Sequence, residues 1–218
     1  MIIVVNKPSG PTSFDIVRKV KDLTGDKKVG HAGTLDPFAE GVLVIGVSRE
    51  STRQLGVISG LDKDYTATLR LGASTDTCDR EGEVVETADV PTLTNKDILA
   101  VFSQFIGWQQ QIPPMYSAKK VNGTRLYKLA RRKIKIAREP VEIKISNLEL
   151  LALSGDDITF SVTCSKGTYI RQLGVDIAKS LGTVGHLTSL LRTRVGDFFL
   201  DDAIKFKDIE QSCLFTEN

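Results

Sequence analysis

Histidine, cysteine and tryptophan are scarce in this chain. Its 218 residues include two histidines, three cysteines and one tryptophan. With His31 and His186 alone, a structural zinc site built from Cys and His has too few ligands. Cys78, Cys164 and Cys213 are widely spaced, odd in number and form no C-x-x-C. They read as reduced thiols of a cytoplasmic protein, neither disulfides nor metal ligands. Long apolar runs are missing too, and no stretch approaches the roughly 20 residues of a membrane helix. The run Ile2-Ile3-Val4-Val5 is too short for a signal-peptide core and has no basic segment before it. No glycine fingerprint for a dinucleotide or a nucleoside triphosphate is present.

What is present suits one soluble globular domain large enough to bury a core, with 41% hydrophobic and 26% charged residues. The net charge is only +2, but its distribution is uneven. Residues 113–138 hold Lys119, Lys120, Arg125, Lys128, Arg131, Arg132, Lys133, Lys135 and Arg138, and no acidic residue. Elsewhere 20 basic residues face 27 acidic ones. A charge run is most often a solvated face. Here Tyr116, Tyr127 and the turn Asn122-Gly123 are interleaved with the charges, which favours a polyanionic partner held through phosphate contacts.

The pattern predicts a strand over 2–5, then a helix opened by the capping box Thr12-x-x-Asp15 with Ile16, Val20 and Leu23 on one face. Strands follow over 42–47 and, by alternation, over 65–71. Residues 75–82 read as a polar turn that includes Asp76 and Asp79. Thr94 and Asp97 cap a helix carrying Ile98, Val101, Phe102 and Phe105, stopped at Gly107. A short helix is expected over 125–131. Strands over 143–151 and 158–164 flank a hairpin turn at Ser154-Gly155-Asp156-Asp157. Gly167-Thr168 precedes a helix with Ile170, Leu173, Ile177 and Leu181, and a last strand covers 193–199. Grouped strands with few helices between them give an α+β fold with a mixed, mainly antiparallel sheet.

One loop stands out: Gly30-His31-Ala32-Gly33-Thr34-Leu35-Asp36-Pro37-Phe38-Ala39-Glu40-Gly41. Pro37 pushes Asp36 away from helical geometry, and the glycines permit tight turns. Four more strings accompany it: Asn6-Lys7-Pro8-Ser9-Gly10-Pro11-Thr12-Ser13, Lys63-Asp64-Tyr65, Cys164-Ser165-Lys166-Gly167-Thr168-Tyr169-Ile170-Arg171, and His186-Leu187-Thr188-Ser189-Leu190-Leu191-Arg192-Thr193. Each is weak alone. In this order they closely resemble the TruB family of tRNA pseudouridine-55 synthases over nearly the whole chain. The string Gln111-x-Pro113-Pro114-x-Tyr116-Ser117-Ala118-x-Lys120 is similar to that family's RNA-gripping thumb.

The resemblance implies a pseudouridine-synthase-like sheet flanked by helices, forming a single catalytic domain over 1–218 with a thumb inserted at about 108–140. It implies isomerisation of a uridine in the T-loop of tRNA, without cofactor or metal. Asp36 is then the reacting carboxylate and Arg171 its charge partner. Tyr65 stacks on the uracil and stands close to C5, while Tyr169 and Leu190 complete an apolar slot. His31 positions the extracted nucleotide. Lys63, Lys119, Lys120, Arg125, Lys128 and Arg131 contact RNA. Lys7 fits two roles equally, a phosphate contact or a support for the Asp36 loop.

Two departures are visible. Ser48-Arg49-Glu50 stands where the family often carries Gly-Lys, and Leu191 replaces a common Arg. The chain also ends soon after the core, so the short form without a C-terminal PUA module is expected. No oligomerisation surface is evident, and a monomer is the expectation. The rival readings are a nucleoside N-glycosidase using Asp36 and a non-catalytic RNA-binding or RNA-folding module.

Overall fold

The computed structural model describes residues 1–210 except Asn122 and Lys135, and the backbone alone of Lys120. Cys213 therefore lies outside the described residues. In chain order the elements are β1 (Ile2–Lys7), α1 (Ser13–Thr24), β2 (Val29–His31), β3 (Glu40–Val47), α2 (Arg49–Ser59), β4 (Lys63–Leu71), β5 (Ala73–Thr75), β6 (Val84–Thr87) and α3 (Asn95–Ser103). There follow β7 (Gly107–Gln111), β8 (Lys120–Val121), β9 (Thr124–Arg125), α4 (Leu126–Ala130), β10 (Val141–Ser154), β11 (Asp157–Cys164), α5 (Ile170–Ser180), β12 (Gly185–Val195), β13 (Phe198–Phe199) and β14 (Ile204–Lys205). They form two compact units, Met1–Thr66 with Leu190–Asn218, and Ala67–Ser189.

In the first unit the strand order is β14–β1–β3–β12, with β2 also on β3 and β13 also on β12. β1 and β3 are antiparallel, whereas β14 runs parallel to β1 and β12 parallel to β3. β3 is buried from Gly41 to Val47, as expected of a strand covered on both faces. Leu43, Ile45 and Val47 join Ile3, Val5 and the α1 residues Ile16 and Val20. The alternate residues Val42 and Val44 join Leu55 and Ile58 of α2. Ile16 and Val20 are fully buried, each contributing about 1.5–3 kcal/mol. The Thr12–Asp15 capping box forms in full, with the Asp15 amide donating to Thr12 Oγ1 and the Thr12 amide donating to Asp15. That bonding holds the Asp15 carboxyl below its usual range.

α2 has no clear signature in the sequence. Its buried residues are Ser51, Leu55 and Ile58, too few apolar positions to establish a helical period. Its N-cap, Ser48, adopts φ 88°, ψ 163°, a region an L-residue occupies at a cost of about 1–3 kcal/mol. This residue opens the string that replaces the family's Gly-Lys. Its Oγ accepts from the Ser51 amide over 3.5 Å, a weak cap. Ser48→Gly is expected to raise stability by about 1 kcal/mol in urea unfolding, because glycine sacrifices only a few tenths of a kcal/mol at an N-cap. A lower midpoint would mean the cap outweighs the strain.

In the second unit the order is β12–β4–β11–β10–β7, with β10 antiparallel to β11 and β7. β4 and β11 alternate between buried and half-exposed positions, as their sequences predict. α3 ends at Ser103, so Phe105 lies beyond it, and Gly107 opens β7. Phe102 of α3 meets Phe160 of β11 edge to face, centroids 5.9 Å apart. α5 approaches β12 closely at Gly174, where a Cβ would stand 2.8 Å from a Leu187 methyl. β12 begins eight residues before the strand predicted over 193–199, and Phe198–Phe199 forms a separate strand folded back on its end. The basic segment leaves the sheet after Gln111 and carries the β8–β9 hairpin and α4.

Candidate functional site

The Asp36 loop belongs to the first unit and is held by backbone contacts on each side of the carboxylate. Ser13, the first residue of α1, donates from Oγ to the Leu35 carbonyl at 3.0 Å and accepts from the Leu35 amide at 2.8 Å. The Gly10 amide donates to the Pro37 carbonyl at 2.9 Å. Lys7 is wholly buried, and its ammonium donates to the carbonyls of Pro8, Pro37 and Ala39 at 2.7–3.0 Å. Arg192, 1% exposed, donates to the carbonyls of Val42 and Gly33. Gly41 is required here. Its φ is 103°, and a Cβ would lie 2.1 Å from the Arg192 carbonyl oxygen. Asp36 itself is half-buried, and its carbonyl accepts from the Ala39 amide to close a turn at Pro37. The result is a preorganised carboxylate on a loop whose backbone has little freedom.

His31 stands at the end of β2 in the same unit. Burial, and then the charge of Arg192, hold its ring below the usual histidine range, with the Gly33 backbone offsetting part of the shift. The ring is therefore neutral near pH 7. Its Nδ1 is buried without a hydrogen-bond partner among the described residues. Tyr65 and Leu190 are both buried.

A second polar cluster lies in the other unit. Arg171, in the first turn of α5 and 3% exposed, donates to the Thr77 carbonyl at 2.6 Å and the Tyr116 carbonyl at 2.7 Å. It pairs with Asp79 at 3.5 Å, both side chains being about 95% buried. Asp79 also accepts from Thr77 Oγ1 and the Glu81 amide. Burial pushes the neighbouring Cys78 thiol up to about 11, so it is protonated and inert. Tyr169, the residue before α5, is pinned by Gln111, whose carboxamide bonds both its amide and its carbonyl. No group of three or more metal-binding side chains occurs among the described residues.

A sequence model for the TruB family pseudouridylate synthase N-terminal domain matches residues 21–170. The chain belongs to the TruB family. A second model, for the tRNA pseudouridylate synthase B C-terminal domain, matches residues 171–218. The tRNA pseudouridine synthase B of Psychrobacter cryohalolentis is 47% identical over 96% of this chain and 59% of its own length. That of Mycobacteroides abscessus is 44% identical over 99% of this chain and 74% of its own. The chain thus spans less than two thirds of the first of these relatives. Among solved structures it is similar to a chain of a Cbf5–Nop10–Gar1 complex, with TM-score 0.76 and 30% identity over 96% of this chain and 53% of that one. It is also similar to a chain of an H/ACA RNP bound to a substrate RNA containing 2′-deoxyuridine, with TM-score 0.71, 27% identity and shares of 96% and 52%. The fold is pseudouridine-synthase-like, as expected.

Lys63, expected to contact RNA, and Lys7, with a phosphate contact as one of its two expected roles, are both turned inward. Of the two roles open to Lys7, the structure fits support of the Asp36 loop, because its ammonium is spent on buried carbonyls. Lys63 is 7% exposed, and its Nζ donates to the carbonyls of Ser59 and Leu61, capping the end of α2. The three ammonium protons of Lys7 match its three carbonyl acceptors. In contrast, Lys119, Arg125, Lys128 and Arg131 hold their charges at or near the surface. Arg131 stacks on Tyr127, 5.5 Å from the ring centroid. The Lys120 side chain and Lys135 lie outside what is described.

Asp79 escapes sequence reasoning. In Thr75-Asp76-Thr77-Cys78-Asp79 it has the look of a turn residue, and it does shape that turn. Only the buried Arg171, more than ninety residues away in sequence, gives its charge a second role. Ser13, Gln111 and Arg192 were visible within motifs, but their contacts with backbone groups have no sequence signal.

Proposed function

We propose that this TruB protein isomerises uridine to pseudouridine in the T-loop of tRNA, at uridine-55. The observation that carries the reading is the Asp36 loop, where Lys7, Ser13 and Arg192 fix the backbone around one carboxylate. The reaction breaks the N1–C1′ bond and joins C1′ to C5. C5 loses a proton and N1 gains one, so atoms and electrons balance without a redox partner or an energy source. Asp36 is the reacting carboxylate. Tyr65 stacks on the uracil, with Tyr169 and Leu190 as further walls. Burial lowers the basicity of the His31 ring, which suits a positioning group better than a general base. The chain works as one catalytic domain, a cytoplasmic monomer without metal or cofactor. No described helix is long and apolar enough to cross a membrane.

Residues 112–140 grip the T-arm through phosphate contacts from Lys119, Lys120, Arg125, Lys128 and Arg131. Changing Lys119, Arg125 and Lys128 together to Gln is expected to raise KM. It should also flatten the dependence of log affinity on log salt by about 0.9 for each phosphate that is no longer neutralised. An unaltered slope would remove the segment from the RNA interface.

The reaction itself is tested with transcript tRNA tritiated at uridine C5. Solvent tritium without free uracil is the expected result. Free uracil would indicate the N-glycosidase, and tight binding with neither product would indicate the non-catalytic module.

A further inference from the structure

We propose that Tyr116, held by Asp76, is a positioning residue that keeps Arg171 and the root of the basic segment in one frame. The inference rests on the reading of residues 112–140 as the RNA-gripping segment and of Arg171 as a residue that the reaction needs. Tyr116 is fastened at two points. Its carbonyl accepts from Arg171 Nη2 at 2.7 Å, and its hydroxyl donates to Asp76 Oδ2 at 3.0 Å. Arg171 reaches the Thr77 carbonyl, next to Asp76 in the chain, at 2.6 Å. Asp76, Thr77, Arg171 and Tyr116 therefore close a ring of hydrogen bonds. The turn inside that ring is itself braced, since Thr75 Oγ1 donates to the Asp79 carbonyl and the Glu83 amide donates to Asp76 Oδ1.

The two fastenings differ in kind. The Arg171 contact is buried and charge-assisted, and so strong. The Asp76 contact is exposed and contributes modestly. Together they fix both the place and the tilt of Tyr116, which one contact could not do. Burial, and then Asp76, push the Tyr116 phenol upward, so it remains a donor at working pH. The next residue, Ser117, accepts from the Tyr127 amide at 3.1 Å, tying α4 and Lys128 to the same point. Arg138 closes the root by donating to the Pro113 carbonyl at 3.1 Å. A shift of Tyr116 therefore moves both the acceptor of Arg171 and the helix that carries basic side chains.

The test compares Tyr116→Phe, Asp76→Ala and the double variant by tritium release, tRNA binding and urea unfolding. Each single change is expected to lower kcat about fivefold, on the scale of one exposed hydrogen bond, and to weaken the tRNA Kd about two- to threefold, because both ends of the frame shift. The double variant should be no slower than the Asp76→Ala variant, because that change already removes the bond that Tyr116→Phe removes. An unchanged kcat, a weaker Kd with kcat intact, additive losses, or an unfolding midpoint that falls in step with activity would each overturn the proposal. Failure of the RNA-gripping reading registers separately, as an unaltered salt slope in the Lys119, Arg125 and Lys128 variant.

Discussion

Asp36→Asn is expected to abolish the proposed isomerisation, with tritium release lowered by at least about a thousandfold, the scale of losing an essential reacting group. The substitution keeps the volume and leaves the loop backbone held by Lys7, Ser13, Gly10 and Arg192. The variant should therefore fold with a near-normal unfolding midpoint and bind tRNA within about twofold of the parent. Binding without turnover isolates the chemistry from the grip. Turnover within about tenfold of the parent would exclude Asp36 as the reacting group, whatever the family resemblance.

Arg171→Ala has the largest expected effect on stability. The side chain is 3% exposed and shares its charge with a buried Asp79. Its removal leaves a buried carboxylate without its cation and the Thr77 and Tyr116 carbonyls without their donor. The expected loss is about 3–5 kcal/mol by urea unfolding. Arg171→Lys keeps the charge, but a single nitrogen on a shorter stem cannot stand where Nη1 meets the Thr77 carbonyl and Nη2 meets the Tyr116 carbonyl. It should recover only part of the stability and stay well below parent turnover. Adding Asp79→Asn to Arg171→Ala should restore part of the loss by removing the buried charge that Arg171 balances. A cost below about 1 kcal/mol for Arg171→Ala would contradict the role of the pair.

Much of the fold was legible because several elements carry local signals. Thr12 with Asp15, and Thr94 with Asp97, form reciprocal capping boxes that need nothing from distant residues. The alternation of residues 65–71 and 158–164 reflects strands with one face more deeply buried than the other. The elements without a signature are those stabilised from outside. α2 depends on the other core residues around Leu55 and Ile58, and β7, with the sequence Gly-Trp-Gln-Gln-Gln, depends on pairing with β10. The start of β12 was hidden because its residues first read as a motif.

The sequence by itself determined the family, the carboxylate loop and the concentration of positive charge in one segment. Each is a matter of residue identity and order, which the chain carries before it folds. Tertiary structure alone decided what the charged groups do. Lys7 and Lys63 look like their exposed neighbours in sequence, yet both are buried and bonded to carbonyls. Asp79 looks like a turn residue, yet it faces a buried guanidinium. A charge acquires its role from the dielectric and the partners around it, and the partners of these three are set by the fold.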